Sequence, residues 1–245
     1  IVTNAHKIVG GEMPDLAQKD NDFFFMQRGS EAAVTQTVVE LVAKRLPKSY
    51  GFSPIADIQV LTPQRQGNLG VYVLNSQLQE VINPKSGAKK EFKGIFCTFR
   101  EGDKVMQIRN NYDMEWTKDE EEGLGIFNGD IGIIKLIDNA SSTIVIDFEE
   151  RICNYPFEMA SELELAYAVT KSQGSEYDAV ILPIFGGFDK LYFRNLLYTA
   201  VTRAKKLLII VGSKGRVEYM VQNNRKMLRY TNLRNFLTEA VQHGN

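Results

Sequence analysis

Residues 195–211 read Asn195-Leu196-Leu197-Tyr198-Thr199-Ala200-Val201-Thr202-Arg203-Ala204-Lys205-Lys206-Leu207-Leu208-Ile209-Ile210-Val211. In the first half, Leu196, Leu197, Ala200 and Val201 recur at the spacing of a helix with one apolar face. The second half is a short unbroken apolar run, the pattern of a strand buried on both sides. A helix feeding directly into such a strand is half of an α/β unit. The spacing predicts a helix over 192–204 and a strand over 207–211. Arg203 falls at the junction between them.

Working outward, 179–184 reads as a second buried strand, 165–170 as a third and 57–61 as a fourth, stopped by Thr62-Pro63. Val71, Leu74, Leu78 and Val81 share one side of a helix predicted over 70–81. Val34, Val38, Leu41 and Val42 do the same over 31–45, where Ser30 is placed to cap the first turn. Phe23 to Met26 form an apolar run read as a buried strand. Residues 1–25 otherwise look irregular, with Gly10, Gly11 and Pro14 breaking any pattern. Helices are expected over 216–222 and 233–241.

The texture changes near Gly94. Strand-like runs at 95–99, 104–109, 131–136 and 143–148 contain no helical period, and 138–142 supplies a turn. Residues 100–155 are therefore expected to be a small all-β insertion. The remainder, 1–99 and 156–245, is expected to form one discontinuous α/β domain. A loop is expected over 110–125, with Asp119-Glu120-Glu121-Glu122 as its solvated tip.

Composition narrows the function classes. With 44% apolar residues in 245, the chain has enough material for a real core. A net charge of -1 argues against a non-specific nucleic-acid coat, but not against a local groove that holds a few phosphates. No apolar run approaches the roughly 20 residues of a membrane span. Two cysteines, Cys97 and Cys153, lie in apolar runs and read as small buried hydrophobes, which fits a reducing cytoplasm. Two histidines and no Cys/His cluster leave no metal site. The chain opens on Ile1, as a cut segment would.

Three segments put polar groups where packing does not require them. Thr62-Pro63-Gln64-Arg65-Gln66-Gly67 follows a strand, and open α/β sheets bind ligands at that end. The plain account is a turn with Arg65 in water. Thr170-Lys171-Ser172-Gln173-Gly174-Ser175-Glu176 offers hydroxyls, an amine and close backbone approach, which suits a phosphodiester read without sequence preference. A polar strand-to-helix loop accounts for it equally well. Arg203 is either a last-turn cation facing the helix dipole or a group that reaches a transferred phosphoryl.

In this order the three segments resemble motifs IV, V and VI of superfamily 1 helicases, closest to the RecD and TraA branch. Asn4-Ala5-His6 with Gly11-Glu12-Met13-Pro14, Gly102-Asp103-Lys104-Val105-Met106-Gln107 with Asn110-Asn111-Tyr112, and Phe127-Asn128-Gly129-Asp130-Ile131-Gly132 add to the resemblance. It implies a second RecA-like motor domain, of the P-loop-NTPase type, interrupted by an SH3-like β-barrel. It also implies ATP and Mg²⁺ in a cleft against a first RecA-like domain, and 5′ to 3′ movement on single-stranded DNA in recombination or repair. Other nuclease or helicase subunits are implied partners.

Residue by residue, the resemblance makes Arg203 the arginine finger and Arg65 a second γ-phosphate contact. Gly174 and Glu176 would lie near the γ-phosphate and ribose, and Thr62, Lys171, Ser172 and Gln173 would touch the DNA backbone. The family pattern Thr-x-His-Lys-Ser-Gln-Gly is shortened here, since Lys171 follows Thr170 directly. No GxxxxGK[ST] occurs in the chain, so the phosphate-binding loop is expected in a missing N-terminal motor domain. The rival expectation is a nucleic-acid or protein binding module with degenerate helicase motifs.

Overall fold

The computed structural model describes residues 1–18, 21–170 and 175–224. The first part of the chain supplies α1 (Val2–Gly10), β1 (Phe23–Gln27), α2 (Glu31–Glu40), α3 (Leu46–Tyr50), β2 (Ile58–Leu61) and α4 (Val71–Ile82). A π turn, Leu41–Arg45, joins α2 to α3 without a break. Then come the short strands β3 (Glu91–Lys93) and β4 (Thr98–Arg100), followed by β5 (Lys104–Gln107), β6 (Asn111–Lys118), β7 (Glu121–Ile126), β8 (Ile131–Asp138), β9 (Thr143–Phe148) and β10 (Arg151–Pro156). The chain continues through a 3₁₀ turn, Phe157–Glu162, into β11 (Leu163–Leu165), β12 (Ala168–Val169) and β13 (Tyr177–Ile184). It ends, among the described residues, with α5 (Arg194–Val201), β14 (Ala204–Gly212) and α6 (Lys214–Gln222). The helix expected over 233–241 lies outside the described residues.

Five strands form a parallel sheet in the order β1-β14-β13-β2-β12. Successive side chains of a strand point to opposite faces, and both faces here are buried. Ala179 and Ile181 of β13, with Leu207, Ile209 and Val211 of β14, join the core under α2 and α4. Val180, Leu182, Ile184, Leu208 and Ile210 join a second core with Ile8 of α1, Leu197 and Val201 of α5, and Val217 and Met220 of α6. That two-sided burial explains why these strands carry continuous apolar runs rather than alternation.

The β-rich module is a seven-stranded antiparallel sheet in the order β11-β5-β8-β9-β10-β6-β7. It takes in Leu163–Leu165, beyond residue 155. Its core, with Ile134, Ile146, Phe148 and Tyr155, is continuous with the core under α4 through Phe99 and Leu165.

A buried carboxylate ties the two sheets together. Asp103, without solvent exposure, accepts hydrogen bonds from Gln79 Nε2 (2.5 Å) and Asn83 Nδ2 (2.6 Å) of α4, from Arg100 N (2.6 Å) and from Tyr167 OH (3.0 Å). Burial pushes its carboxyl above the ordinary value, while the four donors pull the other way. Gly102 immediately before it takes φ 90°, a left-handed conformation that a Cβ resists.

Three local expectations are corrected. Residues 2–10 are helical, because Gly11 at φ 84° terminates a helix rather than preventing one. Its N–H bonds Ile8 O (3.0 Å) and that of Glu12 bonds Lys7 O (2.8 Å), which satisfies the last carbonyls. The loop expected over 110–125 is instead the β6–β7 hairpin, whose Gly123 leaves room for the Trp116 ring. Of the strand expected over 95–99, residues 95–97 lie in the turn of the β3–β4 hairpin, closed by Gly94 N on Cys97 O, and only 98–99 enter β4.

Candidate nucleotide and nucleic-acid sites

The helix–strand junction that opened the sequence reading is formed as follows. Leu197 and Val201 bury one face of α5, and Thr202 ends it with its hydroxyl on Thr199 O (2.9 Å). Arg203 then turns the chain into β14. Its carbonyl accepts the N–H of Tyr177 at 2.9 Å, so the first residues of β13 and β14 lie side by side. The Arg203 side chain is half-buried. Nη1 donates to Ser175 O at 3.3 Å, and Nε is buried without a partner. Glu176 stands beside it with its carboxylate exposed, 3.8 Å from Lys205 Nζ. These residues occupy the N-terminal end of the parallel sheet.

Next to that end is a cleft of about 740 Å³ between the two sheets, lined by Lys104, Asp130, Arg151, Glu176, Tyr177 and Lys205. Lys104 comes from β5 and is 3% exposed. Its ammonium has one hydrogen bond, to Ile58 O at 3.4 Å, and sits 5.6 Å from the centre of the Tyr177 ring. Burial lowers its pKa from 10.5 to about 8, opposed by the charge of Asp57. Nothing in the pattern of alternating residues distinguishes Lys104 from an exposed lysine; only the docking of β5 on β2 buries it.

The opposite, C-terminal end of the sheet carries Thr62 and Thr170. Thr62 N bonds Val169 O at 3.0 Å, which brings the first two polar segments together. Between them and α5 runs a groove of about 430 Å³ lined by Thr62, Thr170, Asn195, Thr199 and apolar neighbours. The Thr62 hydroxyl is occupied within its own loop. It donates to Leu69 O (2.6 Å) and accepts from Gln64 N (3.3 Å), and the residue is buried. Thr62 is thus a loop-shaping residue rather than a free contact. Gln64, unremarked in the sequence, is buried against Tyr192 OH at 2.7 Å. Asn195 and Thr199 also went unremarked, because on a helix of this period they read as its solvent side.

Arg65 corrects the sequence reading. It does not converge with Glu176 and Arg203. The register pairs Val60 with Ile181 and Tyr177 with Ala204, so Thr62 lies six strand steps from Tyr177, about 20 Å along the sheet. Arg65 lies beyond Thr62, outside reach of a γ-phosphate held at Arg203. Its guanidinium bonds Tyr72 OH at 3.1 Å and pairs with Glu164. Of the second segment, Lys171, Ser172, Gln173 and Gly174 lie outside the described residues.

Two family models match this arrangement. Residues 74–148 match the SH3 domain of ATP-dependent RecD-like DNA helicases, and residues 165–211 match the UvrD-like helicase C-terminal domain. In these two stretches the chain is similar to the C-terminal region of RecD-like helicases. Among curated relatives, the ATP-dependent RecD2 DNA helicase of Deinococcus radiodurans is 35% identical over 158 residues, covering 64% of this chain and 20% of that protein. The RecBCD enzyme subunit RecD of Mycolicibacterium smegmatis is 27% identical over 184 residues, 74% of this chain and 29% of the relative. That of Buchnera aphidicola subsp. Schizaphis graminum is 29% identical over 161 residues, 64% and 25%. The chain thus spans a fifth to under a third of the length of these three relatives. Among its described residues no helix is long and apolar enough to cross a membrane, and no three His, Cys, Asp or Glu gather as a metal site.

Proposed function

We propose that this chain is the second motor domain of an ATP-dependent DNA helicase that moves 5′ to 3′ on single-stranded DNA. In this reading the parallel sheet is a RecA-like domain and the antiparallel module an SH3-like barrel inserted in it. The observation that carries it is Arg203. Among the described residues its guanidinium is held at the N-terminal end of β14 by a single carbonyl, Nε has no partner, and Glu176 is alongside. Unpaired guanidinium donors suit an anion that arrives from outside the domain. Arg203 would meet the γ-phosphoryl of ATP bound on a first motor domain, and Glu176 and Gly174 would face the ribose and phosphate. Mg²⁺, with the phosphate-binding loop, belongs to that other domain, since neither a GxxxxGK[ST] nor a described acidic cluster is present here.

The two ends of the sheet then divide the work. Nucleotide chemistry belongs to the end with Arg203, and the DNA backbone to the end with Thr170; Lys171, Ser172 and Gln173 keep the DNA-backbone role that the resemblance implies. A contact made only while the γ-phosphate is attached biases closure of the inter-domain cleft, and its loss on hydrolysis releases it. Strand movement follows if DNA is gripped differently in the two states. Association with other nuclease or helicase subunits is part of the same proposal, supported by relatives named as subunits of the RecBCD enzyme; cytoplasmic location and a role in recombination or repair complete it.

The test is Arg203→Ala in the full-length protein. Hydrolysis should fall by about 10³-fold or more with nucleotide binding retained. Turnover near the unsubstituted rate would remove the finger assignment. The shortened segment after Thr170 favours a second reading, a binding module with degenerate motifs. An ATP analogue that leaves single-strand affinity of the full-length protein unchanged would favour that reading, because only a motor couples the two.

A further inference from the structure

The β3–β4 hairpin has no role in the proposal above, yet its placement is specific. Arg100 at its base is buried, bonding Asn83 O (3.2 Å) and Glu80 (2.7 Å) at the C-terminal end of α4, and Gln79 Nε2 reaches Thr98 O (2.8 Å). From there the hairpin runs back along α4 to its first turn, where Phe96 stacks on Tyr72 with centroids 5.9 Å apart and planes 29° from parallel. Arg65 also meets Tyr72, its guanidinium carbon 5.5 Å from the ring centroid and its Nη2 donating to the hydroxyl at 3.1 Å. Guanidinium, phenol and phenyl ring therefore make a series of neighbours, Arg65 to Tyr72 to Phe96, in the loop and helix that follow the C-terminal end of β2. The series is open at one end. Phe96 is 71% exposed and Ile95 is 76% exposed.

A monomeric domain has no packing reason to hold two large apolar side chains in water at the tip of an anchored hairpin. The surroundings specify what covers them. Residues 84–99 contain four lysines and one glutamate. Lys85 pairs with Glu91 and Lys89 reaches Asn83 Oδ1, while Lys90 and Lys93 are exposed. An exposed ring flanked by free cations is the composition of a single-strand stacking platform, where every base offers a face and the cations follow the phosphates. A peptide partner of matching charge would instead need an acidic segment with an apolar anchor, and the recess of about 200 Å³ beside the hairpin, lined by Tyr72 and Phe96, also carries Glu80 and Glu164, which such a segment would meet.

We infer that Phe96, backed by Tyr72 and Arg65, is a stacking platform for an unpaired base of the bound strand, with Lys93 on its phosphate. The inference rests on the reading of this sheet end as the DNA side. The platform would also supply what the shortened segment after Thr170 gives up, a hold on the strand independent of that loop.

The test uses the 245-residue chain, a fluorescein-labelled oligothymidylate and anisotropy at several salt concentrations. Phe96→Ala should weaken binding about five- to a hundred-fold while leaving the dependence on salt unchanged, because it removes a ring and no phosphate contact. Phe96→Trp should restore affinity, with its fluorescence quenched by the oligonucleotide. Lys93→Gln should flatten the salt dependence instead. Phe96→Ala binding within two-fold of the unsubstituted chain overturns the platform and leaves the DNA reading standing. Absence of binding by the unsubstituted chain overturns both. Unchanged binding accompanied by loss of self-association on sedimentation assigns the tip to a protein contact and also overturns the platform.

Discussion

Replacing Lys104 by Met should stabilise the fold, and the gain should depend on pH. The ammonium is buried at the seam of the two sheets with one long hydrogen bond and an aromatic ring for compensation. Its pKa falls from 10.5 to about 8 on folding. Between those values the unfolded chain binds more protons than the folded one, so stability rises with pH over that window. Below pH 8 the full penalty applies. The difference corresponds to about 3 kcal/mol at neutral pH. Methionine keeps the stem and its packing but forfeits the bond to Ile58 and the ring contact, which leaves a net gain of roughly 1–3 kcal/mol. At about 2–4 °C per kcal/mol for a chain of this size, the melting temperature at pH 7 should rise by roughly 2–12 °C. Melting curves between pH 6.5 and 9.5 are the assay. The unsubstituted chain should gain stability above pH 8 and approach the variant, whose profile should be flat over that window apart from other groups. A variant that melts at or below the parent at pH 7, or two parallel profiles, would refute the argument from burial.

Asp103→Ala should be among the most destabilising changes available, by roughly 3–5 kcal/mol, because it strands four buried donors at once. Urea denaturation measures this, and a loss under about 1 kcal/mol would show that the donors find other partners. Gly212→Ala should yield little soluble protein, since a Cβ there would lie 1.8 Å from Ile184 O on the neighbouring strand. Soluble expression with an unchanged melting temperature would contradict that geometry.

The α/β framework was legible because its strands are buried on both faces. Residues 179–184 and 207–211 have no alternative to a central strand, and the apolar stripes over 31–45 and 70–81 have the helical period. The antiparallel module was legible as a change of texture, but not strand by strand. β6 and the edge strand β7 put charges outward, which from sequence alone looks like a loop. The helix at 2–10 was missed because Gly10-Gly11 reads as a breaker when it is a terminator. For the candidate site, Arg203 and Glu176 come together because each directly precedes a strand, and adjacent parallel strands begin side by side. Arg65 follows a strand, so it emerges at the other end. Chain order gave no warning of this; it depends on strand direction, which only the sheet register supplies. Gln64, Lys104 and Asn195 carry no sequence signal, because their burial or placement comes from contacts distant along the chain.

The hairpin of β6 and β7 has one more consequence. β7 has a hydrogen-bonded neighbour on one flank only, and an open flank of backbone is a template on which a second molecule can build. Here the strand begins with Glu121 and Glu122 and follows Asp119 and Glu120, all in solvent. Two such flanks brought together would set four carboxylates against four. Like charge along this margin disfavours a second copy laying its own β7 alongside in the same direction.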